Sequence, residues 1–206
     1  PLLHVDDALI TRQFDVNLVG PFRLIRALAP LLGAAVDDPH AGRIVQVSSV
    51  SALRPMPFIG PYGASKAALE SLSDALRIEL LPFSIKVISI QPGPIKTAIW
   101  DKAPKPEESP FLETPYRRAL ERFYRAFVLS GGRDGLPPES ISALVYHALS
   151  AKRPRRRYLK TPGYFSRYLI PRLLSGPRFD RLIGRMLRLQ AGLFRADQQP
   201  RSKEGE

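Results

Sequence analysis

Apolar side chains fall along the 206-residue chain in distinct runs, and each run predicts its own kind of element. From Leu9 to Leu32 the apolar positions Leu9, Phe14, Val16, Leu18, Phe22, Leu24, Ile25, Leu28, Leu31 and Leu32 crowd more than one helical face. That spacing predicts a helix largely buried against a sheet or a partner helix. Asp6 or Asp7 is placed to cap its start, with acid at the positive helix end. Pro30 weakens it and Gly33 ends it. After a polar loop over 37–42, Arg43 to Val47 is short and almost continuously apolar, as expected of a parallel strand covered on both faces. Leu53 to Gly60 is a loop, with Pro55, Pro57 and Gly60; its Met56, Phe58 and Ile59 are read as packing the loop down rather than lining a cleft. Ala67, Ala68, Leu69, Leu72, Ala75, Leu76 and Leu80 give a helix from Tyr62 to about Leu81, stopped by Pro82. A second apolar strand, Lys86 to Ile90, runs into Pro92-Gly93-Pro94. Strand, crossover helix and strand form a βαβ unit, expected to be right-handed.

Residues 98–135 change character, mixing prolines and charges with Trp100, Phe111, Tyr116, Phe123, Tyr124 and Phe127; Arg117 to Leu129 has helical periodicity. Pro137-Pro138-Glu139 opens another helix, to about Lys152, and Arg157 to Lys160 reads as a last short strand. From Tyr164 to Phe194 the apolar positions Phe179, Leu182, Ile183, Met186, Leu189 and Leu193 alternate with arginines, which predicts one basic amphipathic helix. Residues 196–206 are expected to be disordered.

Composition narrows the classes of function. A hydrophobic content of 44% is ordinary for a globular protein, and 206 residues can bury one substantial core. There is no cysteine, hence no disulfide framework and no thiolate nucleophile. That fits a cytoplasmic protein, and no apolar run approaches the length of a transmembrane helix. His4, His40 and His147 have no metal-ligand spacing and are read as structural or surface residues. The net charge of +12 is concentrated: residues 152–206 hold fifteen Lys and Arg against four Asp and Glu. Three readings of that basic segment compete. It docks on the body or on a second subunit, it lies on an anionic membrane surface, or it meets nucleic acid. The last is set aside, because no recognition fold or base-stacking pattern accompanies the charge.

Candidate chemistry gathers between Ser48 and Thr97. Tyr62 and Lys66 lie four apart, on one face of their helix. Ser49 lies thirteen residues before Tyr62, just past the Arg43–Val47 strand, and Thr97 follows Pro92-Gly93. Strand ends of an open parallel sheet are where doubly wound folds bind ligands. Asn17, in Asn17-Leu18-Val19-Gly20, is a poor helix former inside the first helix and needs a hydrogen-bonding reason.

Ser49, Tyr62-Gly63-Ala64-Ser65-Lys66, Pro92-Gly93 with Thr97, and Asn17 with Gly20 together make the sequence resemble the short-chain dehydrogenase/reductase superfamily. Gly60-Pro61-Tyr62 and the stretch from Glu70 to Arg77 look most like its retinol and hydroxysteroid dehydrogenase branch. The resemblance implies an α/β fold, a Rossmann-like doubly wound parallel sheet of which this chain carries an incomplete set of strands. It implies three regions: 1–163 as the C-terminal portion of that domain, with a substrate lid at 98–135; 164–195 as a basic helical extension; and the tail. It implies an enzyme that transfers a hydride between NAD or NADP and a small apolar alcohol or carbonyl compound. Asn17, Ser49, Tyr62 and Lys66 would be catalytic, and Tyr62, Lys66, Pro92, Gly93 and Thr97 would contact the cofactor. In that role Lys66 favours the phenolate of Tyr62 and contacts the nicotinamide ribose, Ser49 binds the substrate oxygen, and Asn17 holds a water that links Lys66 to solvent. A homodimer or homotetramer through the Phe14 and Tyr62 helices is a further expectation. The family's upstream Thr-Gly-x-x-x-Gly-x-Gly turn does not occur in these residues, and Gly131-Gly132 is no substitute for it. The chain is therefore read as the C-terminal part of a longer protein or as a truncated gene product. The alternative to an enzyme is a non-catalytic piece that oligomerises or binds membrane surfaces through its basic helix.

Overall fold

The computed structural model describes residues 1–35, 41–54 and 56–198. Among them three strands pair in parallel: β1 (Arg43–Val47), β2 (Lys86–Pro92) and β3 (Arg157–Lys160), in the order β1-β2-β3. Arg43 stands opposite Lys86 and Val47 opposite Ile90; Ser89 stands opposite Arg157 and Pro92 opposite Lys160. The strands begin and end where their apolar runs do, because each is bounded by loop-forming residues. Gly42 enters β1, Ser84 turns into β2 through the left-handed region at φ 56°, and Gly93 leaves it.

Asp6 caps the first helix α1 (Asp7–Phe14) by accepting the Ala8 N–H at 3.0 Å. The helical run then widens into a π-turn at Asp15–Val19 before α2 (Gly20–Leu28), and a 3-10 turn (Ala29–Leu32) ends at Gly33, φ 80°. The expectation that this run is largely buried is corrected. None of its helical segments has a fully buried residue, and Leu9, Val16, Leu24, Leu28 and Leu31 stand exposed. The face that meets the Gly60–Glu79 helix is covered, and no described residue covers the other.

The crossover between β1 and β2 is α3 (Gly60–Glu79). Its Leu72 and Leu76, and Leu80 just after it, pack with Ile25, Ile44, Ile85 and Val87 into the first core cluster. The opposite face of the sheet takes α6 (Pro138–Ser150), where Arg43 donates to the Ala148 carbonyl and His147 meets the Tyr158 ring edge-on. Ahead of α6, the segment predicted helical from Arg117 is α4 (Arg117–Phe123), a π-turn and α5 (Ser130–Asp134) in succession. Gly131 and Gly132 sit in α5 under the indole of Trp100; a Cβ on Gly131 would come within 2.6 Å of that ring.

The single basic helix predicted over 164–194 is also corrected. It is broken into a π-turn from Tyr164, α7 (Ile170–Leu173), α8 (Gly176–Met186) and α9 (Ala191–Gln198). Ser175-Gly176-Pro177 forces one break, because proline suits only the first turn of a new helix. Arg188, at φ 55°, makes another. Part of the apolar face of α8 is buried: Phe179, Ile183 and the following Leu187 pack with Phe123 of α4, Met56, Phe58 and Ile59 pack against that cluster, and Leu182 and Met186 stay exposed. The loop apolar residues thus pack, as read from sequence. Of the expected disordered tail, 196–198 belong to α9 and the rest lies outside the described residues, as do His40 and Pro55. No helix among the described residues is long and apolar enough to cross a membrane.

Candidate active site

The C-terminal end of β1 carries the first group. Ser48 extends the ladder by donating its N–H to the Ile90 carbonyl at 2.8 Å, and its own side chain is buried. Ser49 is fully extended (φ −161°, ψ 156°) and caps the 3-10 turn Val50–Ala52, its Oγ accepting the Ser51 N–H at 3.1 Å. An accepting hydroxyl keeps its own proton to donate.

The second pair stands at the start of α3. Pro61 occupies the first turn, where its missing N–H is not needed. Tyr62 follows, and Lys66 lies one turn further along. The Lys66 ammonium donates to the Val47 carbonyl at 2.9 Å, tying the helix to the end of β1, one residue before Ser48. Burial, which disfavours the charged form, pushes the Lys66 pKa below its ordinary value.

Asn17 has its hydrogen-bonding reason. It is the middle residue of the π-turn, whose defining bond runs from the Gly20 N–H to the Asp15 carbonyl, five residues back. From there its Nδ2 donates to Ser65 Oγ at 3.0 Å, and Ser65 Oγ donates to the Tyr62 carbonyl at 2.8 Å. The amide is thus engaged with the first turn of α3.

Pro92 ends β2 and is buried. Gly93 donates its N–H to the Lys160 carbonyl at 2.8 Å and lies so close to Thr161 that a Cβ would fall 2.2 Å from its Oγ1. Pro94 and Lys96 bond the backbone of Leu136, so this loop is tied to the chain just beyond α5. Thr97 is exposed, three residues past Pro94, and its carbonyl accepts from the Trp100 N–H.

Ser49, Tyr62, Lys66 and Asn17 are therefore carried by elements that meet at one sheet edge. No hydrogen bond joins the Ser49 and Tyr62 side chains directly among the described residues. Thr97 stands apart on the exposed part of its loop.

Sequence reasoning missed three supporting groups. Ser65 is one, although it sits inside the Tyr62–Lys66 motif. Arg54 is another: it reaches the Leu174 carbonyl at 2.9 Å and lies 4.9 Å over the Phe179 ring. The third is Arg157 on β3, which binds Glu70 and Asp74 of α3. Spacing gave no sign of it, since Arg157 and Glu70 are 87 residues apart in sequence.

The family model of the short chain dehydrogenases matches residues 1–108. The chain is 36% identical, over 83% of its length, to an NADPH-dependent 3-dehydrocapnine reductase of Ornithobacterium rhinotracheale, and covers 61% of that protein. It is 35% identical over 76% of its length to human 11-beta-hydroxysteroid dehydrogenase type 2, covering 41% of it. A solved 4-hydroxyisoleucine dehydrogenase mutant complexed with NADH and succinate superposes with a TM-score of 0.58 at 25% identity, over 79% of this chain and 62% of that one. The chain thus spans about three fifths or less of the length of these relatives. With the parallel sheet, the Tyr62–Lys66 helix and the Ser49 strand end, these matches establish that the chain belongs to the short chain dehydrogenase family.

Proposed function

We propose that the protein is an NAD- or NADP-linked oxidoreductase acting on an apolar alcohol or ketone, with Tyr62, Lys66 and Ser49 handling the proton at the substrate oxygen. The observation that carries this reading is the Lys66 ammonium bound to the Val47 carbonyl, one helical turn past Tyr62 and beside the strand end that bears Ser49.

The donor set fits the nicotinamide end of such a cofactor. Lys66 uses one of its three N–H groups on Val47 and keeps two for a vicinal diol such as a ribose. The Pro92–Gly93 end of β2 offers a rigid wall beside it. When bound, the nicotinamide supplies or accepts the hydride. A phenol in water ionises near pH ~10 and is a poor base at neutrality. An ammonium one turn away stabilises negative charge on a nearby oxygen, and in this reading Tyr62 takes or gives the proton. Ser49, its oxygen already accepting from Ser51, donates to the substrate oxygen and stabilises developing negative charge. Asn17 acts through Ser65, holding the first turn of α3 where Tyr62 starts. The apolar substrate class rests on the aromatic lid residues and on the hydroxysteroid dehydrogenase among the relatives. The exposed Leu9, Val16 and Leu24 support assembly into a homodimer or homotetramer through the first helices.

The test is NAD(P)H-linked turnover by the complete protein on a panel of hydrophobic alcohols and ketones. Tyr62→Phe is expected to abolish it. Undiminished activity in that variant refutes the acid–base assignment.

A further inference from the structure

Lys66 and Glu70 stand at the i and i+4 positions of α3, a spacing at which opposite charges on a helix ordinarily pair. They do not pair here. Lys66 turns to the Val47 carbonyl, and Glu70 turns the other way, its Oε2 accepting from Arg157 Nε at 2.9 Å. Glu70 is buried, 7% exposed, and its second oxygen has no hydrogen-bond partner. Arg157 comes from β3, two strands away from the Lys66 contact, and its other arm holds Asp74, which Arg77 also holds. Arg157 is therefore the one cation that Glu70 meets among the described residues, whereas Asp74 has two.

We propose that Arg157 is a positioning residue whose task is to divert Glu70, so that the Lys66 ammonium is left without a carboxylate and remains available to Tyr62. The inference rests on the acid–base reading of Tyr62 and Lys66. A carboxylate on Lys66 would neutralise the charge that favours the phenolate and would occupy the N–H groups meant for a diol. The other elements packed around α3 offer no competing partner. The Val50–Ala52 turn has no charged side chain. Lys86 and Arg43 lie at the far ends of β2 and β1. Asp15 of the π-turn and Asp7 and Arg12 of α1 are exposed. Burial alone, with no charge partner, accounts for the lowered pKa of Lys66.

The experiment follows acylation of Lys66 against pH in the complete protein, read by peptide mass spectrometry, with circular dichroism to confirm folding. Arg157→Met should turn Glu70 onto Lys66 and move the midpoint of labelling up by about one pH unit or more. Arg157→Met combined with Glu70→Gln should restore the original profile, which a merely structural clamp would not do. Glu70→Gln alone should leave the profile unchanged. The proposal is overturned if Arg157→Met leaves Lys66 labelling where it was, if the double variant stays shifted, or if Glu70→Gln alone moves the midpoint. Should Arg157→Met fail to fold, the Glu70→Gln result decides, with Arg157→Lys expected to keep the original profile. Labelling needs no turnover, so failure of this inference is distinguishable from failure of the oxidoreductase reading, which Tyr62→Phe tests separately.

Discussion

Replacing Phe179 with alanine tests whether the basic C-terminal segment is part of the folded body. Phe179 is 7% exposed, between Phe123 of α4 and Ile183 and Leu187 of its own segment. Truncating a buried phenylalanine costs about 3–5 kcal/mol, through lost transfer free energy and the cavity left behind. The Arg54 guanidinium, 4.9 Å from the ring centroid, adds about 0.5–1 kcal/mol that is lost with the ring. Because α8 and α9 follow the last strand, the loss should appear as local opening before global unfolding. Amide exchange over residues 179–186 is expected to accelerate about a hundredfold or more, while β1 and β2 change far less. Leu182→Ala, on the same helix but 49% exposed, serves as the control and should change exchange little. Acceleration of Phe179→Ala no larger than that of Leu182→Ala, or equal acceleration in β1, refutes the docking.

Three further outcomes can be measured. Because the folded-state pKa of Lys66 is depressed, the folded protein loses this proton before the unfolded chain does; wild-type stability should therefore rise relative to Lys66→Met as pH approaches 10.5, as read by denaturant titration across that range. The Asp197 carboxyl is held below its usual value by its hydrogen bond from Arg122, with Arg188 and Arg118 adding to it against the cost of burial. Its contribution is complete above about pH 4 and is lost as pH falls through the lowered value, so acid should loosen α9 in the wild type more than in Asp197→Asn, by the same exchange measurement. Gly131→Ala drives a methyl into the Trp100 ring and should destabilise by about 1–3 kcal/mol in thermal or chemical denaturation, with a change in indole fluorescence.

The strands were legible in the sequence because their apolar runs are short and each is closed off by a turn residue. Arg43–Val47 and Arg157–Lys160 have the predicted bounds, and β2 runs two residues beyond its prediction, to Pro92. The crossover helix was legible for the same reason, with Pro82 just after its end. The π-turn at Asn17 was not, since one extra residue in a helical turn leaves the apolar pattern nearly intact; the awkward asparagine was its only trace. The breaks in the C-terminal segment were written in Ser175-Gly176-Pro177, but the arginine and leucine periodicity on either side masked them. Within the site, residue types and spacing pointed to Ser49, Tyr62 and Lys66. They could not reveal Arg157, because its relation to Glu70 exists only once β3 lies beside β2.

All three strands run in one direction, and that has a consequence for how quickly the protein can assemble. Arg43 meets Lys86 at a sequence separation of 43, and Ser89 meets Arg157 at one of 68. None of these described strands pairs with another as a hairpin, so each pair must wait for a long segment to be gathered at an entropic cost that local contacts do not offset. Mixed α/β chains with such distant pairings reach the native state more slowly than helical bundles of similar stability. During that interval the nearly uninterrupted apolar face of β2 is uncovered, which makes the second strand the segment most in need of protection while the chain is new.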